Sequence, residues 1–119
     1  VLDDLGSAVE LLTGAGVDRT SIVADPGIGF AKTAAQSVDL MRNISRLRTD
    51  LALPLLVGSS RKSFIGSVTG EPLESREFGT AATVALAIQR GVDIVRVHDV
   101  KNMASVVRMS DAIVRGRDD

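Results

Sequence analysis

The stretch Gly91-Val-Asp-Ile-Val-Arg-Val-His-Asp99 joins the end of a helical pattern to a short apolar run that ends in polar residues. Gly91 suits the position just after a helix, and residues 93–97 have the composition of a β-strand. The echo Gly16-Val-Asp18 precedes a second such run at residues 21–24, and a third lies at residues 55–58. The sequence therefore predicts three strands, each of which ends in polar side chains.

Helical periodicity fills the intervals between these runs. The first predicted helix covers residues 4–13, the second begins near Thr33, the third covers residues 80–90, and Asn102 is expected to cap the last. Thr33 and Gln36 have the spacing of a capping box. A polar loop is predicted between Gly58 and Thr80, with the turn residues Thr69-Gly70-Glu71-Pro72.

The alternation of helices with apolar strands is typical of parallel βαβ units in an α/β fold. A three-stranded sheet would leave both edges open, whereas a closed (β/α)8 barrel requires about 250 residues. The chain has 119 residues. We therefore predict that residues 1–119 form a single segment, a partial TIM barrel of about three βα units cut from a longer protein.

The composition limits the partners and the chemistry of the chain. It is 45% apolar and 24% charged with a net charge of −1, so neither nucleic acid nor a membrane is expected as a partner. One histidine and no cysteine cannot form a zinc site from protein ligands alone. The sequence contains no P-loop, no serine nucleophile elbow and no G-x-G-x-x-G stretch, so the functions that depend on them are not predicted.

A polar cluster follows each predicted strand, at the end where parallel α/β folds bind ligands. In the first cluster, Asp25 leads into a turn at Pro26 and Gly27, and Gly29 permits a close backbone approach. The Asp25 carboxylate suits two adjacent N–H donors of a flat heterocycle. A carboxylate that merely caps an Asp-Pro-Gly turn is an equally good interpretation of this cluster.

Cationic side chains characterise the other two clusters. Arg61 and Lys62 suit an anionic or carbonyl-bearing ligand, although a solvated surface loop would also carry them. In the third strand, Ile94, Arg96 and His98 share one face because side chains alternate along a strand. Arg96 and His98 together predict an oxyanion or phosphate site, and the alternative is an ion pair between Arg96 and a nearby carboxylate.

Together the clusters resemble the dihydropteroate synthase family, the folate-pathway enzymes that sulfonamides inhibit. The resemblance rests on Asp25-Pro-Gly-Ile-Gly-Phe-Ala-Lys-Thr33, Leu55-Leu-Val-Gly-Ser-Ser-Arg-Lys-Ser-Phe-Ile-Gly66, Gly79-Thr80 and Arg96-Val-His-Asp-Val100. It implies a TIM barrel, of which this chain would supply strands six to eight. It also implies a cytoplasmic transferase, homodimeric when intact, that joins 6-hydroxymethyl-7,8-dihydropterin diphosphate to p-aminobenzoate and releases 7,8-dihydropteroate and diphosphate.

The resemblance assigns the pterin to the first cluster and to Lys62. Asp25 would hold the amino and ring N–H groups of the pterin, in a pocket shaped by Gly29 and Phe30. Lys62 would meet the carbonyl side of the pterin, near the ring of the aminobenzoate. Gly58, at the end of the second strand, belongs to the same expected binding set.

The anionic groups of the two substrates fall to the remaining residues. Arg96 and His98 would hold the leaving diphosphate, with Arg61 nearby. Ser63, at the start of a helical turn, would meet the carboxylate of p-aminobenzoate. Lys62, Arg96 and His98 are the expected catalytic residues. Such chemistry depends on positioning and on stabilisation of the leaving group more than on a covalent nucleophile.

The resemblance implies magnesium, but no metal ligand is expected in this segment. Mg²⁺ would arrive with the diphosphate, and its protein ligand is expected in the missing N-terminal half. Family members often have glycine at the position of Ala31 and asparagine at that of Gln36. The methyl group of Ala31 should disturb little if its φ is negative.

Two other interpretations stay open at this point. A pterin-binding methyltransferase domain would share the fold, but it would not need the diphosphate site that Arg61, Arg96 and His98 indicate. The isolated chain could also be an inactive half-barrel that associates through open sheet edges. We expect the isolated chain to be inactive.

Overall fold

The computed structural model describes residues 1–116, which form an α/β fold of helices and a short parallel sheet. The helices are α1 (Leu2–Gly14), α2 (Ala34–Arg42), α3 (Ile44–Leu51), α4 (Ser63–Thr69), α5 (Glu77–Gln89) and α6 (Val100–Arg115). The strands are β1 (Leu56–Val57) and β2 (Ile94–Val95). Two short 3-10 helices cover Arg19–Ser21 and Leu73–Ser75.

The sheet is parallel, as predicted. Leu56 and Val57 of β1 lie opposite Ile94 and Val95 of β2. On the other side of β1, Ala24 forms a single parallel bridge with Leu55. The N–H of Ala24 donates to the Pro54 carbonyl at 2.9 Å, and its carbonyl accepts from the N–H of Leu56 at 2.8 Å. The three apolar runs therefore lie side by side, with the second run in the middle.

Each strand is shorter than its apolar run suggested. Residues 21–24 do not form a full strand, because Ser21 ends the 3-10 helix Arg19–Ser21 and only Ala24 pairs with the sheet. The Asp18 carboxylate accepts a hydrogen bond of 3.0 Å from the N–H of Thr20, and this local bond favours a turn over extended backbone. An apolar run therefore predicts which part of the chain joins the sheet better than it predicts the length of a strand.

Two helices occupy parts of the predicted loop between Gly58 and Thr80. Helix α4 (Ser63–Thr69) occupies its centre, with Phe64 and Ile65 buried, and α5 begins at Glu77, three residues before the predicted start at Thr80. Burial of two large side chains stabilises a short helix that its polar sequence surroundings do not indicate. The loop prediction was wrong for these residues.

Helix boundaries depend on side-chain hydrogen bonds. The capping box of Thr33 and Gln36 is confirmed, with bonds of 2.9 and 3.1 Å. The predicted second helix is two helices, α2 and α3, which Asn43 separates. The backbone N–H and the side-chain amide of Asn43 both donate to the Asp39 carbonyl and hold Asn43 between the two helices. Asn102 does not cap α6: the Asp99 carboxylate is the cap and accepts from both the N–H and the side-chain amide of Asn102.

The core lies on one side of the sheet only. The main cluster joins the helices to the inner side of the sheet, and a smaller one lies between α5 and α6 and includes Val84, Ile88 and Met103. Val57 is 1% exposed, whereas Val23 is 47% and Ile94 43% exposed. We call the second side, formed by Val23, Leu56 and Ile94, the open sheet face. Among residues 1–116, no helix combines the length and the apolar character that a membrane span requires.

Candidate functional site

A network of hydrogen bonds holds the loop of residues 25–33 in shape. The Asp25 carboxylate accepts from the N–H of Gly27 at 2.9 Å, so one of its oxygens does cap the turn. The Lys32 ammonium donates to the carbonyls of Gly27 and Phe30 at 2.9 and 3.0 Å. The Gly29 N–H donates to the hydroxyl of buried Ser37 at 3.2 Å. Asp25 is nevertheless exposed at the sheet edge, where a ligand could reach it.

Lys62 crosses from the second cluster to the first. A Cβ at Gly29, which has φ +83°, would lie 2.8 Å from Cδ of Lys62. The close approach predicted at Gly29 is therefore made by the lysine stem. The Lys62 ammonium donates to the Ile28 carbonyl and lies 4.3 Å from the centroid of the Phe30 ring, a cation–π distance. Phe30 itself is 62% exposed and offers an aromatic surface.

Arg96 and His98 are both exposed, whereas Val95 and Val97 are half-buried, which follows the alternation that the sequence predicted. The Arg96 guanidinium lies across Gly58 of the neighbouring segment, since a Cβ at Gly58 would be 2.9 Å from Nη2 of Arg96. Gly58 thus makes room for Arg96. The open sheet face continues beyond the paired residues, because every second side chain of an extended segment points to the same side. Its next positions along the three segments are Asp25, Gly58, Arg96 and His98.

A buried hydroxyl orients His98. The hydroxyl of Ser60 lies 2.7 Å from Nδ1 of His98 and accepts a hydrogen bond of 3.2 Å from its backbone N–H. If the Ser60 hydroxyl donates to Nδ1, the proton of the neutral ring is on Nε2. Ser60 is 6% exposed, so the bond is protected from water.

The first turn of α5 holds Arg61. Arg61 has φ +57°, a conformation that is unusual for a residue with a side chain. Its N–H donates to the hydroxyl of buried Thr80 at 3.0 Å, and its carbonyl accepts from the Arg76 guanidinium at 3.2 Å. Its own guanidinium donates to Glu77 at 2.5 Å. Ser63 is the first residue of α4 and is exposed beside this loop.

The charges of the three clusters act on one another. Burial lowers the pKa of Lys62 below its usual 10.5, and the positive charges of Arg96 and Lys32 lower it further, while Asp25 opposes them. Arg61 and His98 border a common cavity of about 600 Å³ with Ser60. The structure thus groups Asp25, Lys62 and Arg96, and it groups Arg61 with His98.

Several supporting residues were not predicted as part of the site. Three buried hydroxyls, Ser37, Ser60 and Thr80, each accept the backbone N–H of one site loop. The sequence does not indicate that these hydroxyls are buried, because serine and threonine in a polar stretch are more often exposed. Ser60, Thr80 and Lys32 lie in the motifs that carry the resemblance, but no role was predicted for them. Only the fold shows the two carbonyl acceptors of Lys32.

Two features of the site bear on the sequence expectations. Ala31 has φ +50°, so the condition under which its methyl group would be harmless does not hold. A left-handed conformation costs about 1–2 kcal/mol for a residue with a Cβ. Residues 1–116 contain no group of three or more His, Asp or Glu side chains that could hold a metal ion.

The chain belongs to the pterin binding enzyme family, whose model matches residues 1–98. Its curated relatives include the dihydropteroate synthase of Bacillus subtilis, 47% identical over 114 residues that cover 96% of this chain and 40% of the relative. The dihydropteroate synthase of Synechocystis is 50% identical over 108 residues, 90% of this chain and 37% of the relative. The chain therefore spans about two fifths of the length of these relatives.

Solved structures of dihydropteroate synthases have the same fold over this length. The enzyme from Clostridium difficile, crystallised in the presence of pteroic acid, has a TM-score of 0.90 and 44% identity, with 95% of this chain and 43% of that chain covered. The Yersinia pestis enzyme in a sulfonamide drug complex has a TM-score of 0.89 and 32% identity, with 98% and 42% covered.

Proposed function

We propose that residues 1–119 are a single segment that supplies strands six to eight of a dihydropteroate synthase barrel. Two observations support this. The chain matches its relatives along nearly all of its own length but covers about two fifths of theirs. Its sheet is covered by helices on one side and leaves apolar side chains exposed on the other, as expected of strands whose open face lines the interior of a barrel.

The proposed reaction is the condensation of 6-hydroxymethyl-7,8-dihydropterin diphosphate with p-aminobenzoate. The bond between the methylene carbon and the diphosphate oxygen breaks, the arylamine nitrogen bonds to that carbon, and the nitrogen loses a proton. The products are 7,8-dihydropteroate and diphosphate. Related structures hold matching ligands: 6-hydroxymethylpterin monophosphate in the Anaplasma phagocytophilum enzyme and 7,8-dihydropteroate in that of Xanthomonas albilineans.

The position of Lys62 is the observation that carries the proposal. The stem of Lys62 packs on Gly29, and its ammonium lies over Phe30. The positive charge of Arg96 is close enough to lower the pKa of Lys62. Lys62 therefore connects the proposed pterin pocket to the proposed anion site. A cation there would stabilise negative charge close to the reacting methylene group, and its partial burial strengthens that effect.

The remaining residues would divide the two substrates between them. Asp25 would bind the N–H groups of the pterin through its carboxylate, with Gly29 and Phe30 beside the ring and Gly58 making space for Arg96. Arg96 and His98 would hold the diphosphate, with Arg61 at the adjoining cavity. Ser63 would meet the carboxylate of p-aminobenzoate.

Mg²⁺ would accompany the diphosphate and offset its charge. Because residues 1–116 offer no cluster of metal ligands, no step of the proposed mechanism is assigned to a metal bound by these side chains. A protein ligand for Mg²⁺ would come from the part of the barrel that this chain does not contain. Cytoplasmic location, a homodimeric intact enzyme and the absence of nucleic acid or membrane partners stay predictions.

Substitutions in a protein that contains the complete barrel would test the site. We expect Lys62→Met and Arg96→Met each to lower kcat roughly a hundredfold, because each removes a cation that faces developing charge. Lys101→Met and Arg108→Met are matched controls on the exposed side of α6 and should retain activity. Equal losses in the controls, or full activity in Lys62→Met, would reject the assignment.

A further inference from the structure

The ion pair between Arg61 and Glu77 is unlike the other contacts of the site, because it places a carboxylate on a cation beside the proposed anion site. Nε of Arg61 lies 2.5 Å from Oε1 of Glu77. Both side chains border the cavity of about 600 Å³ that His98 also borders. Diphosphate in this cavity would therefore meet a guanidinium that already has a negative partner.

The first turn of α5 fixes the position of Arg61 in three ways. Thr80 accepts its N–H, Arg76 donates to its carbonyl, and Glu77 accepts from its guanidinium. Because the first two bonds hold the backbone at φ +57°, the guanidinium is the part of Arg61 that can still change partner. Glu77 decides where that guanidinium lies.

Fold stability does not account well for this pair. The second oxygen of Glu77, Oε2, is buried without a hydrogen-bond partner among the residues that the structure describes. A buried acceptor left unpaired costs free energy, and arginine commonly satisfies both carboxylate oxygens by a bidentate contact. The contact between Arg61 and Glu77 leaves Oε2 of Glu77 without a hydrogen bond while Oε1 restrains the Arg61 guanidinium.

We propose that Glu77 is a positioning residue that competes with diphosphate for Arg61, which weakens diphosphate binding and so eases release of the product. The inference rests on the proposed function, since that function supplies the diphosphate. Removal of the Glu77 charge should tighten diphosphate binding. General damage to the site would weaken it, so the direction of the effect separates the two explanations.

The test is titration of a protein that contains the complete barrel with inorganic diphosphate, by calorimetry at low and high salt. Glu77→Gln keeps the length and a hydrogen-bond acceptor but removes the charge, and we expect it to lower the Kd roughly two- to fivefold. The effect should shrink at high salt, because the pair is partly exposed. Adding Arg61→Gln to Glu77→Gln should cancel the gain.

Glu74→Gln is the matched control, since Glu74 borders the same cavity without an ion pair to Arg61 among residues 1–116. An equal gain in Glu74→Gln, or unchanged or weaker binding in Glu77→Gln, would overturn the proposal. Should Glu77→Gln fail to fold, Glu77→Ala is read in the same way, and failure of both would make the pair structural and contradict competition. A tighter Kd in a protein that proves unable to condense the two substrates would leave this inference standing while the proposed function fails.

Discussion

Residues of the candidate site contact and position one another. Gly29 and Gly58 are predicted binding positions, and their missing side chains also make room for Lys62 and Arg96. The sequence predicts Lys62, Arg96 and His98 as site residues, because cationic side chains that follow a strand suit an anionic ligand. It could not identify Ser60, because its role depends on the His98 ring, which lies 38 positions away in sequence.

Ser60→Ala tests whether that hydroxyl orients His98. The substitution removes both hydrogen bonds to His98 without adding bulk, so the ring should lose its fixed orientation. In a protein with the complete barrel, we expect kcat to fall roughly two- to tenfold with little change in the KM for the pterin substrate. Ser67→Ala, on the exposed side of α4, should have no effect. Equal kcat values for Ser60→Ala and the unsubstituted protein would contradict the proposal that Ser60 orients His98 for the reaction.

Ala31→Gly tests the backbone strain at φ +50°. Glycine relieves the left-handed strain but loses more entropy on folding, and the two terms leave a net gain in the free energy of unfolding of about 0.5–1 kcal/mol. Urea unfolding measures it. Ala82→Gly, inside α5, should instead lose about 1 kcal/mol. A loss at Ala31 as large as that at Ala82 would mean that its φ is not positive in solution.

At the scale of elements, periodicity predicted that a helix or strand exists, and side-chain hydrogen bonds decided where it ends. The capping box of Thr33 and Gln36 is a local pattern and could be predicted. The choice of Asp99 over Asn102 as the cap of α6 could not be predicted, because both side chains suit a cap and they are only three positions apart. Periodicity did not indicate helix α4, although the resemblance implied a helical turn that begins at Ser63, because the burial of Phe64 and Ile65 that stabilises it depends on the rest of the fold.

The Asp99 cap makes the stability of α6 depend on pH. Hydrogen bonds from the side chain and backbone of Asn102 lower the pKa of Asp99 below 3.8, and burial opposes them weakly. A lowered folded-state pKa means that the stabilisation is present above pH 3.8 and is lost as the pH falls through the folded-state pKa. Asp99→Ala should therefore lower Tm at pH 7, and the difference from the unsubstituted chain should shrink below pH 3.

Asp99→Asn is the control for this cap, because it keeps an acceptor for Asn102 without the carboxyl titration. Its Tm should lie between those of the other two proteins at pH 7, and its own cap should not respond to acid. Thermal unfolding followed by circular dichroism gives the three values. A Tm difference for Asp99→Ala that is the same at pH 7 and pH 3 would show that the carboxylate does not stabilise α6.

For the whole molecule, the α/β class and the parallel strands could be predicted, whereas the lengths of the strands could not. Parallel strands stabilise one another through neighbours on both sides, and residues 1–116 place a neighbour on both sides of β1 only. The open sheet face, with Val23 and Ile94 more than 40% exposed, is the feature that a complete barrel would cover.

The isolated chain should not catalyse the condensation, because it would supply one arc of the proposed site. Size-exclusion chromatography combined with a pterin titration tests this expectation. We expect association through the open sheet face and weak pterin binding. A monomer that binds pterin tightly would count against the partial-barrel account.

The central claim is that this chain carries one part of a dihydropteroate synthase site. Its most direct test replaces the segment of the Bacillus subtilis enzyme that matches this chain, about 40% of its length, with residues 1–119. Diphosphate release is then measured with each substrate alone and with both together. We predict release only when 6-hydroxymethyl-7,8-dihydropterin diphosphate and p-aminobenzoate are both present. A folded chimaera that releases no diphosphate in the presence of both substrates would contradict the claim.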